Sequence, residues 1–198
     1  KKTSGGRKVW KILLSVLCGI LVFFLLLILG VRAYFRLPVR DYYRNSEKSF
    51  VIPGLSDGMI VQGLAYDKGA DAFFVTGYRS DGQASQLSVV AREDGREIKR
   101  LWLADVDGKA HTGHVGGVAV NGDYIYVADS RGLFVYSRLQ VGFAEDGETV
   151  RALGVFSTAT DDDSLHVAFV HVQDDMIYVG EFYREQNYPT PDSHKVHT

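Results

Sequence analysis

Two kinds of hydrophobic pattern divide the chain. Residues 12–31 form an unbroken run of twenty uncharged residues, I-L-L-S-V-L-C-G-I-L-V-F-F-L-L-L-I-L-G-V. A helix rises about 1.5 Å per residue, so this run predicts a helix about 30 Å long, the thickness of a bilayer's hydrocarbon core. From residue 50 onward, short apolar runs rich in Val, Ile, Tyr and Phe alternate with Asp-Gly and Asn-Gly pairs. This pattern predicts β-strands joined by tight turns.

The short runs belong to an internal repeat. Residues 114–129 read H-V-G-G-V-A-V-N-G-D-Y-I-Y-V-A-D, and residues 166–181, 52 positions later, read H-V-A-F-V-H-V-Q-D-D-M-I-Y-V-G-E. Eight of the sixteen positions are identical, whereas ordinary residue frequencies would give about one by chance. A looser copy lies 52 residues in the other direction, where D-A-F-F-V at 71–75 aligns with D-Y-I-Y-V at 123–127.

Each full period contains four predicted strands, and the third period contains two before the sequence ends. They are 59–66, 72–78, 86–91 and 98–104, then 116–120, 124–128, 133–137 and 152–157, then 167–172 and 176–182. Four antiparallel strands that recur about every 50 residues are typical of a β-propeller blade. The sequence therefore predicts an all-β fold, a β-propeller of four-stranded antiparallel blades with about two and a half blades present, preceded by one N-terminal transmembrane α-helix.

A propeller ring needs about four to eight blades, more than this chain supplies. Either the chain is a fragment of a longer protein, or several chains complete one ring. We expect a fragment, because a last repeat of two strands leaves an unpaired edge. The run F-V-I at 50–52 could be the strand that closes the ring against the missing last blade. A small open β-sandwich is the alternative, but it would leave the period of 52 without an explanation.

Charge separates the two parts of the chain. Residues 1–48 carry ten Lys and Arg against two Asp and Glu, while residues 49–198 carry twelve against twenty-two. The acidic part would be repelled by phosphate backbones, so nucleic acid is not an expected partner. Cys18, the only cysteine, lies in the apolar run. The acidic part can therefore form neither a disulfide nor a cysteine-based zinc site.

The arrangement of these segments predicts the topology. We expect a signal-anchor protein of the cell membrane. It consists of a cytoplasmic basic head (1–11), a transmembrane helix (12–31), a juxtamembrane connector (32–49) and an extracytoplasmic partial propeller (50–198). A cleaved signal peptide ending at V-R-A, residues 31–33, is the alternative. The apolar run is longer than the hydrophobic region of a signal peptide, which ends at about 15 residues, and this favours retention.

Membrane lipid is thus the first expected partner. Four aromatic residues lie among the arginines of the connector, namely Tyr34, Phe35, Tyr42 and Tyr43. They are typical of an interfacial belt, in which aromatic rings lie at headgroup level and guanidinium groups pair with phosphate. A plain polar stalk is the alternative.

Candidate site residues follow from the repeat. In an antiparallel hairpin the first residue of one strand lies beside the last residue of the next, which places His114 beside Asp129 and His166 beside Glu181. The first repeat has Ile and Gly at these positions, so the polar pairs are not required to build a blade. They are expected at the rim where inner strands begin, and the long segment 181–194 is expected to be a recognition loop on the same rim.

Histidine beside carboxylate could orient a metal ligand or act as a general base. His111, His114 and His166 are the candidate ligands of a divalent metal, which would be the cofactor. The alternative is structural, with each histidine hydrogen-bonded to its neighbouring carboxylate. The run Asp161–Asp163 could attract calcium, or it could be a solvated loop.

The segments D-Y-I-Y-V-A-D-S at 123–130 and G-L-F-V-Y at 132–136 resemble the strands of bacterial secreted and membrane-anchored β-propellers of the NHL, SMP-30 and LVIVD-like group. The resemblance covers roughly residues 59–182 and implies a propeller fold. That group includes lactonases, lyases, sugar binders and adhesion scaffolds, so the resemblance does not select one function.

The sequence therefore favours a binding module that recognises an unidentified extracellular ligand or protein through the rim containing His114, Asp129, His166 and Glu181. A metal-assisted hydrolase or lactonase is the alternative, with the histidines as metal ligands and a carboxylate as the base. A ring that serves only as a spacer between proteins is a third possibility.

Overall fold

The computed structural model describes residues 4–158, 164–174 and 176–194. The chain forms two compact units, Lys1–Lys48 and Ser49–Thr198. The run Asp161–Asp163, a candidate calcium site by sequence, lies outside the described residues.

The first unit is helical. Helix α1 spans Ser4–Arg36, and its segment Lys8–Arg36 is long and apolar enough to cross a membrane, with none of its side chains buried by protein. The helix extends beyond the predicted 12–31 at both ends. It ends shortly before Pro38, which cannot donate a backbone hydrogen bond and disfavours helical geometry in the residue before it. A short helix, α2, follows at Arg40–Asn45, so much of the predicted connector is helical.

The second unit is mostly β-sheet. Sheet 1 contains four antiparallel strands in chain order, β1 (Met59–Asp67), β2 (Ala72–Arg79), β3 (Gln86–Ala91) and β4 (Glu97–Ala104). Sheet 2 has the same order, with β5 (Val118–Asn121), β6 (Tyr124–Asp129), β7 (Gly132–Ser137) and a fourth strand described below. Sheet 3 is a hairpin of β10 (Val167–Gln173) and β11 (Met176–Glu181). The second strands begin at residues 72, 124 and 176, the spacing of the sequence repeat.

Residues 138–157 differ from the prediction. A capped helix, α3 (Arg138–Phe143), follows β7, because the Gln140 amide donates to the Ser137 hydroxyl at 3.2 Å and Val141 is buried. The predicted fourth strand, 152–157, is replaced by two three-residue strands, β8 (Thr149–Arg151) and β9 (Gly154–Phe156). Strand β9 completes sheet 2, whereas β8 pairs in parallel with β4 and becomes the fifth strand of sheet 1.

Apolar cores fill the spaces on both sides of sheet 2. Sheets 1 and 2 share the larger core, which includes Phe74, Leu101 and Tyr136, and sheets 2 and 3 share a smaller one around Tyr126 and Val170. The other face of sheet 1 buries Met59, Val75 and Val90 against Phe50 and Ile52. Residues 50–52 were a candidate closing strand, but they are coil and contact sheet 1 through their side chains.

Two glycines connect the three sheets. The Thr76 hydroxyl donates to the Gly116 carbonyl at 2.9 Å, the Gly116 amide donates to Ala128 O at 2.6 Å, and the Gly117 amide donates to Ala168 O at 2.9 Å. A Cβ atom on Gly116 would lie 2.1 Å from Ala168 O, so only glycine allows this approach. The sheets therefore lie side by side with their first strands close together, and the described residues form no closed ring.

Candidate functional site

One open cleft of about 490 Å³ lies at the rim where β1 begins and where β2 and β11 end. We call it the rim cleft. Its polar lining comes from three sheets and their connections, and consists of Gln62, His114, Ser130, His166 and Glu181. Three of the four predicted rim residues therefore line a single cavity, although they come from two repeats.

Aromatic side chains form most of the remaining wall. They are Tyr78 at the end of β2, Phe169 in β10, and Phe182, Tyr183 and Tyr188 in the loop that follows β11. Apart from Tyr78, these side chains are more than half exposed. The predicted recognition loop, residues 181–194, thus contributes aromatic rings to the cleft.

His114 has a different neighbour from the one predicted. Its imidazole is stacked on the Tyr78 ring, with 4.1 Å between centroids and 12° between planes. The predicted pairing with Asp129 assumed that His114 begins a strand, but β5 begins only at Val118. Asp129 lies instead against Gly113, where a Cβ atom would be 2.1 Å from the carboxylate.

His166 and Glu181 are neighbours, as the hairpin register predicts. The His166 backbone amide donates to Glu181 Oε1 at 2.7 Å, while Glu181 Oε2 lies 2.9 Å from the Nδ1 atom of His194. His194 belongs to a short 3-10 helix, Asp192–His194. Burial alone would raise the pKa of Glu181, but the hydrogen bonds from His194 and from the His166 amide outweigh it and lower the pKa. The His166 imidazole is exposed beside this carboxylate.

A partly buried ionic network joins Asp105, His111, Asp129 and Arg131. His111 Nδ1 lies 2.6 Å from Asp105 Oδ1, and His111 Nε2 lies 3.2 Å from Asp129 Oδ2. Arg131 Nη1 donates to Asp105 at 2.8 Å, and Arg131 Nε donates to Asp129 at 3.0 Å. The side chains of His111 and Asp129 are fully buried. The His111 ring is therefore flanked by two carboxylates, and Arg131 Nη2 also lies 3.2 Å from His111 Nδ1.

The network fixes the loop that leads into the repeat. Burial alone would raise the pKa of Asp129, but hydrogen bonds from His111 and Arg131 outweigh it and lower the pKa to about 2. The ring of Phe134 contacts His111 edge-on at 4.6 Å and lies under the Arg131 guanidinium at 4.9 Å. His111 and Asp129, two of the predicted site residues, therefore support the rim from the inside and do not line the cleft.

The predicted metal ligands do not form a common ligand set. Both ring nitrogens of His111 face carboxylates, and the His114 ring is stacked on Tyr78. Within residues 4–158, 164–174 and 176–194, no group of three or more His, Cys, Asp or Glu is placed to hold a metal ion. The residues in these described ranges therefore do not fit the divalent metal that a hydrolase of this kind would use.

Sequence reasoning missed Asp105, Arg131, Tyr78 and His194. One local signal exists for Arg131: it follows Asp129 by two residues, and its amide donates to Asp129 Oδ1 at 2.9 Å, as in an Asx turn. Asp105 precedes a turn, and its pairing with His111 depends on the path of the intervening loop. His194 reaches Glu181 only because the recognition loop folds back.

Acid should destabilise the fold partly through Asp129. Its folded pKa of about 2 lies below the ordinary 3.8, so its contribution is complete above the unfolded value and is lost as the pH falls toward 2. We expect the free energy of unfolding to fall between about pH 5 and pH 2, with a shallower slope in Asp129→Asn. Urea unfolding at several pH values measures this, and an unchanged slope in the variant would contradict it.

The architecture is thus that of a β-sheet repeat protein with one N-terminal apolar helix. Residues 112–135, which include the two connecting glycines, β5 and β6, match the LVIVD repeat family. This match supports a β-propeller-like repeat and confirms the LVIVD part of the resemblance seen in the sequence. No curated protein matches the chain. Among solved structures, the chain is similar to the crystal structure of the computationally designed Ika4 protein, at 11% identity and a TM-score of 0.36, covering 68% of this chain and 92% of that chain.

Proposed function

We propose that this protein is a membrane-anchored recognition module that binds an extracytoplasmic ligand in the rim cleft. One observation carries the proposal: His114, His166 and Glu181, singled out by the repeat, line one open cleft together with five aromatic side chains. Concave sites that combine apolar walls with a few polar groups are the usual form of ligand pockets. The blades of a β-propeller would present such a rim, and the LVIVD match supports a β-propeller-like repeat.

The lining is suited to a carbohydrate. Exposed aromatic faces such as those of Phe182 and Tyr188 can pack against the C–H faces of a sugar ring, and their amphipathic rings tolerate partial hydration. The Gln62 amide, the His166 imidazole and the Glu181 carboxylate can exchange hydrogen bonds with sugar hydroxyl groups. A ligand without hydroxyl groups would give the Gln62 amide and the exposed His166 imidazole no hydrogen-bond partner.

A glycan array tests the proposal. The full chain, held in a fluorescent lipid nanodisc, should bind a defined subset of glycans, and Tyr188→Ala and His166→Ala should each weaken that binding about tenfold, the scale of one lost anchoring contact. Tyr124→Ala is the matched control, because Tyr124 is an exposed tyrosine outside the cleft. Absence of glycan binding, or equal losses in Tyr124→Ala, would refute a sugar site in the cleft.

The orientation in the membrane is part of the same proposal, with the N-terminus in the cytoplasm and the sheets outside. The basic residues at 1–11, before the apolar run, and the large unit that follows the run support this direction. In a Cys18→Ser background, we expect a membrane-impermeant maleimide to label Asp94→Cys in intact cells and to leave Ser4→Cys unlabelled. The reverse labelling pattern would show the opposite orientation.

A further inference from the structure

A second cavity, also of about 490 Å³, lies between sheets 1 and 2 at the ends of the strands opposite to the rim cleft. It is bordered by Asp67, where β1 ends, and by Ala72, where β2 begins, whereas the rim cleft uses the other ends of these strands. Phe74 and Val89 from sheet 1 form apolar wall, and Val141 of α3 faces them. The volume is within the range of about 300–1,000 Å³ that is usual for small-molecule sites.

Helix α3 leaves apolar surface uncovered at the mouth of this cavity. Leu139 and Phe143 are four residues apart and therefore lie on the same side of the helix. Both line the cavity, yet Leu139 is 68% exposed and Phe143 is 80% exposed. Apolar surface of this kind gains free energy when a ligand removes it from water.

The charged groups at the mouth are not equivalent. Arg138 forms a bidentate pair with Asp67 at 2.6 and 2.9 Å, and the charge of Asp123 acts on the same guanidinium. Lys99 Nζ instead donates to two carbonyl oxygens, Gly142 O at 2.8 Å and Ala144 O at 2.7 Å. No ion pair to Lys99 is found in the described part of the chain. Burial lowers the pKa of Lys99, and the more distant Glu148 opposes this only in part.

An ammonium group has three N–H donors, and the two carbonyls use two of them. We propose that this cavity binds a small soluble molecule with an alkyl or aryl body and one carboxylate, which accepts the third hydrogen bond of Lys99. The apolar body lies against Phe74, Val89 and Val141 inside the cavity and covers Leu139 and Phe143 at its mouth. A carboxylate gives Lys99 the charged partner that the backbone carbonyls do not supply.

Octanoate is a suitable probe. Two matched ligands accompany it: acetate, which lacks the apolar body, and octyltrimethylammonium, which keeps the alkyl chain but reverses the charge. Binding to the full chain in phosphatidylcholine nanodiscs is measured by saturation-transfer NMR, with the signal of empty nanodiscs subtracted. We expect saturable binding of octanoate and weaker binding of both matched ligands. Lys99→Met should weaken octanoate binding about tenfold, the scale of one charge-assisted hydrogen bond, and Lys99→Arg should retain it.

The apolar part is tested with Leu139→Ser and Phe143→Ser, which alter exposed side chains and should fold normally. Each should weaken octanoate binding, whereas Leu153→Ser, an exposed leucine outside this cavity, should not. Equal binding of octanoate and octyltrimethylammonium, absence of saturable binding, or retained affinity in Lys99→Met would overturn the proposal. His166→Ala should bind octanoate like the wild type, which separates this site from the rim cleft.

Discussion

Asp129→Ala is expected to lower the free energy of unfolding by about 3–5 kcal/mol, the usual loss when one partner of a buried ion pair is removed. The substitution leaves the fully buried His111 with Asp105 as its remaining carboxylate neighbour and removes one of the two carboxylates that bind Arg131. Urea unfolding of the full chain in nanodiscs measures the loss. Trp10→Phe in all samples leaves Trp102, in sheet 1, as the single tryptophan reporter.

Asp81→Ala is the matched control for this prediction. The pKa of Asp81 is also lowered to about 2, mainly by its hydrogen bond to Arg79, but this pair lies at the surface. Exposed ion pairs contribute about 0–1 kcal/mol, because water and salt screen them. Equal losses in Asp81→Ala and Asp129→Ala would contradict the role of burial in the network.

Gly116→Ala is expected to cost about 3 kcal/mol, the upper end of the usual range for overpacking. The added Cβ atom would lie 2.1 Å from Ala168 O, and this neighbour is backbone, which cannot rotate away. Sheets 2 and 3 would have to separate, and the contact between Thr76 and the Gly116 carbonyl would be disturbed. The same tryptophan-monitored urea titration gives the change.

Gly154→Ala controls for the general effect of replacing glycine in a strand. A Cβ atom at Gly154 has no other atom within 4 Å, and its backbone conformation is open to any residue. We expect a change of less than about 1 kcal/mol, as for surface substitutions without a buried contact. If Gly116→Ala were as mild as Gly154→Ala, the close approach of the sheets at Gly116 would not be required for stability.

Local patterns explain why most strands were predictable. Alternating apolar residues bounded by Asp-Gly or Asn-Gly define hairpins without long-range information, and the sequence repeat by itself aligns β2, β6 and β11. The apolar helix α1 follows from composition alone. The hairpin register also placed His166 beside Glu181, because His166 directly precedes β10 and Glu181, the last residue of β11, pairs with Val167.

Elements that depend on distant partners were missed or misplaced. Strand β8 has three residues and no periodicity of its own, and it exists because Val150 packs in the core and pairs with Leu103. Helix α3 is too short for a periodic signal. Asp129 was assigned to His114, but the loop from Asp105 to Gly117 brings His111 to it. That loop is shaped by tertiary hydrogen bonds such as the one from the Ser85 amide to His111 O at 2.7 Å.

The crossing of β8 into sheet 1 has a consequence for how the fold opens. Residues 149–151 lie in the chain between α3, which follows β7 of sheet 2, and β9, the last strand of that sheet, yet they pair with β4 of sheet 1. Only Ala152 and Leu153 separate β8 from β9. Detachment of β8 from sheet 1 must therefore also displace β9 from sheet 2. Amide protons of the first two repeats should therefore exchange with solvent in one cooperative event, while those of the β10–β11 hairpin exchange in an earlier and separate one.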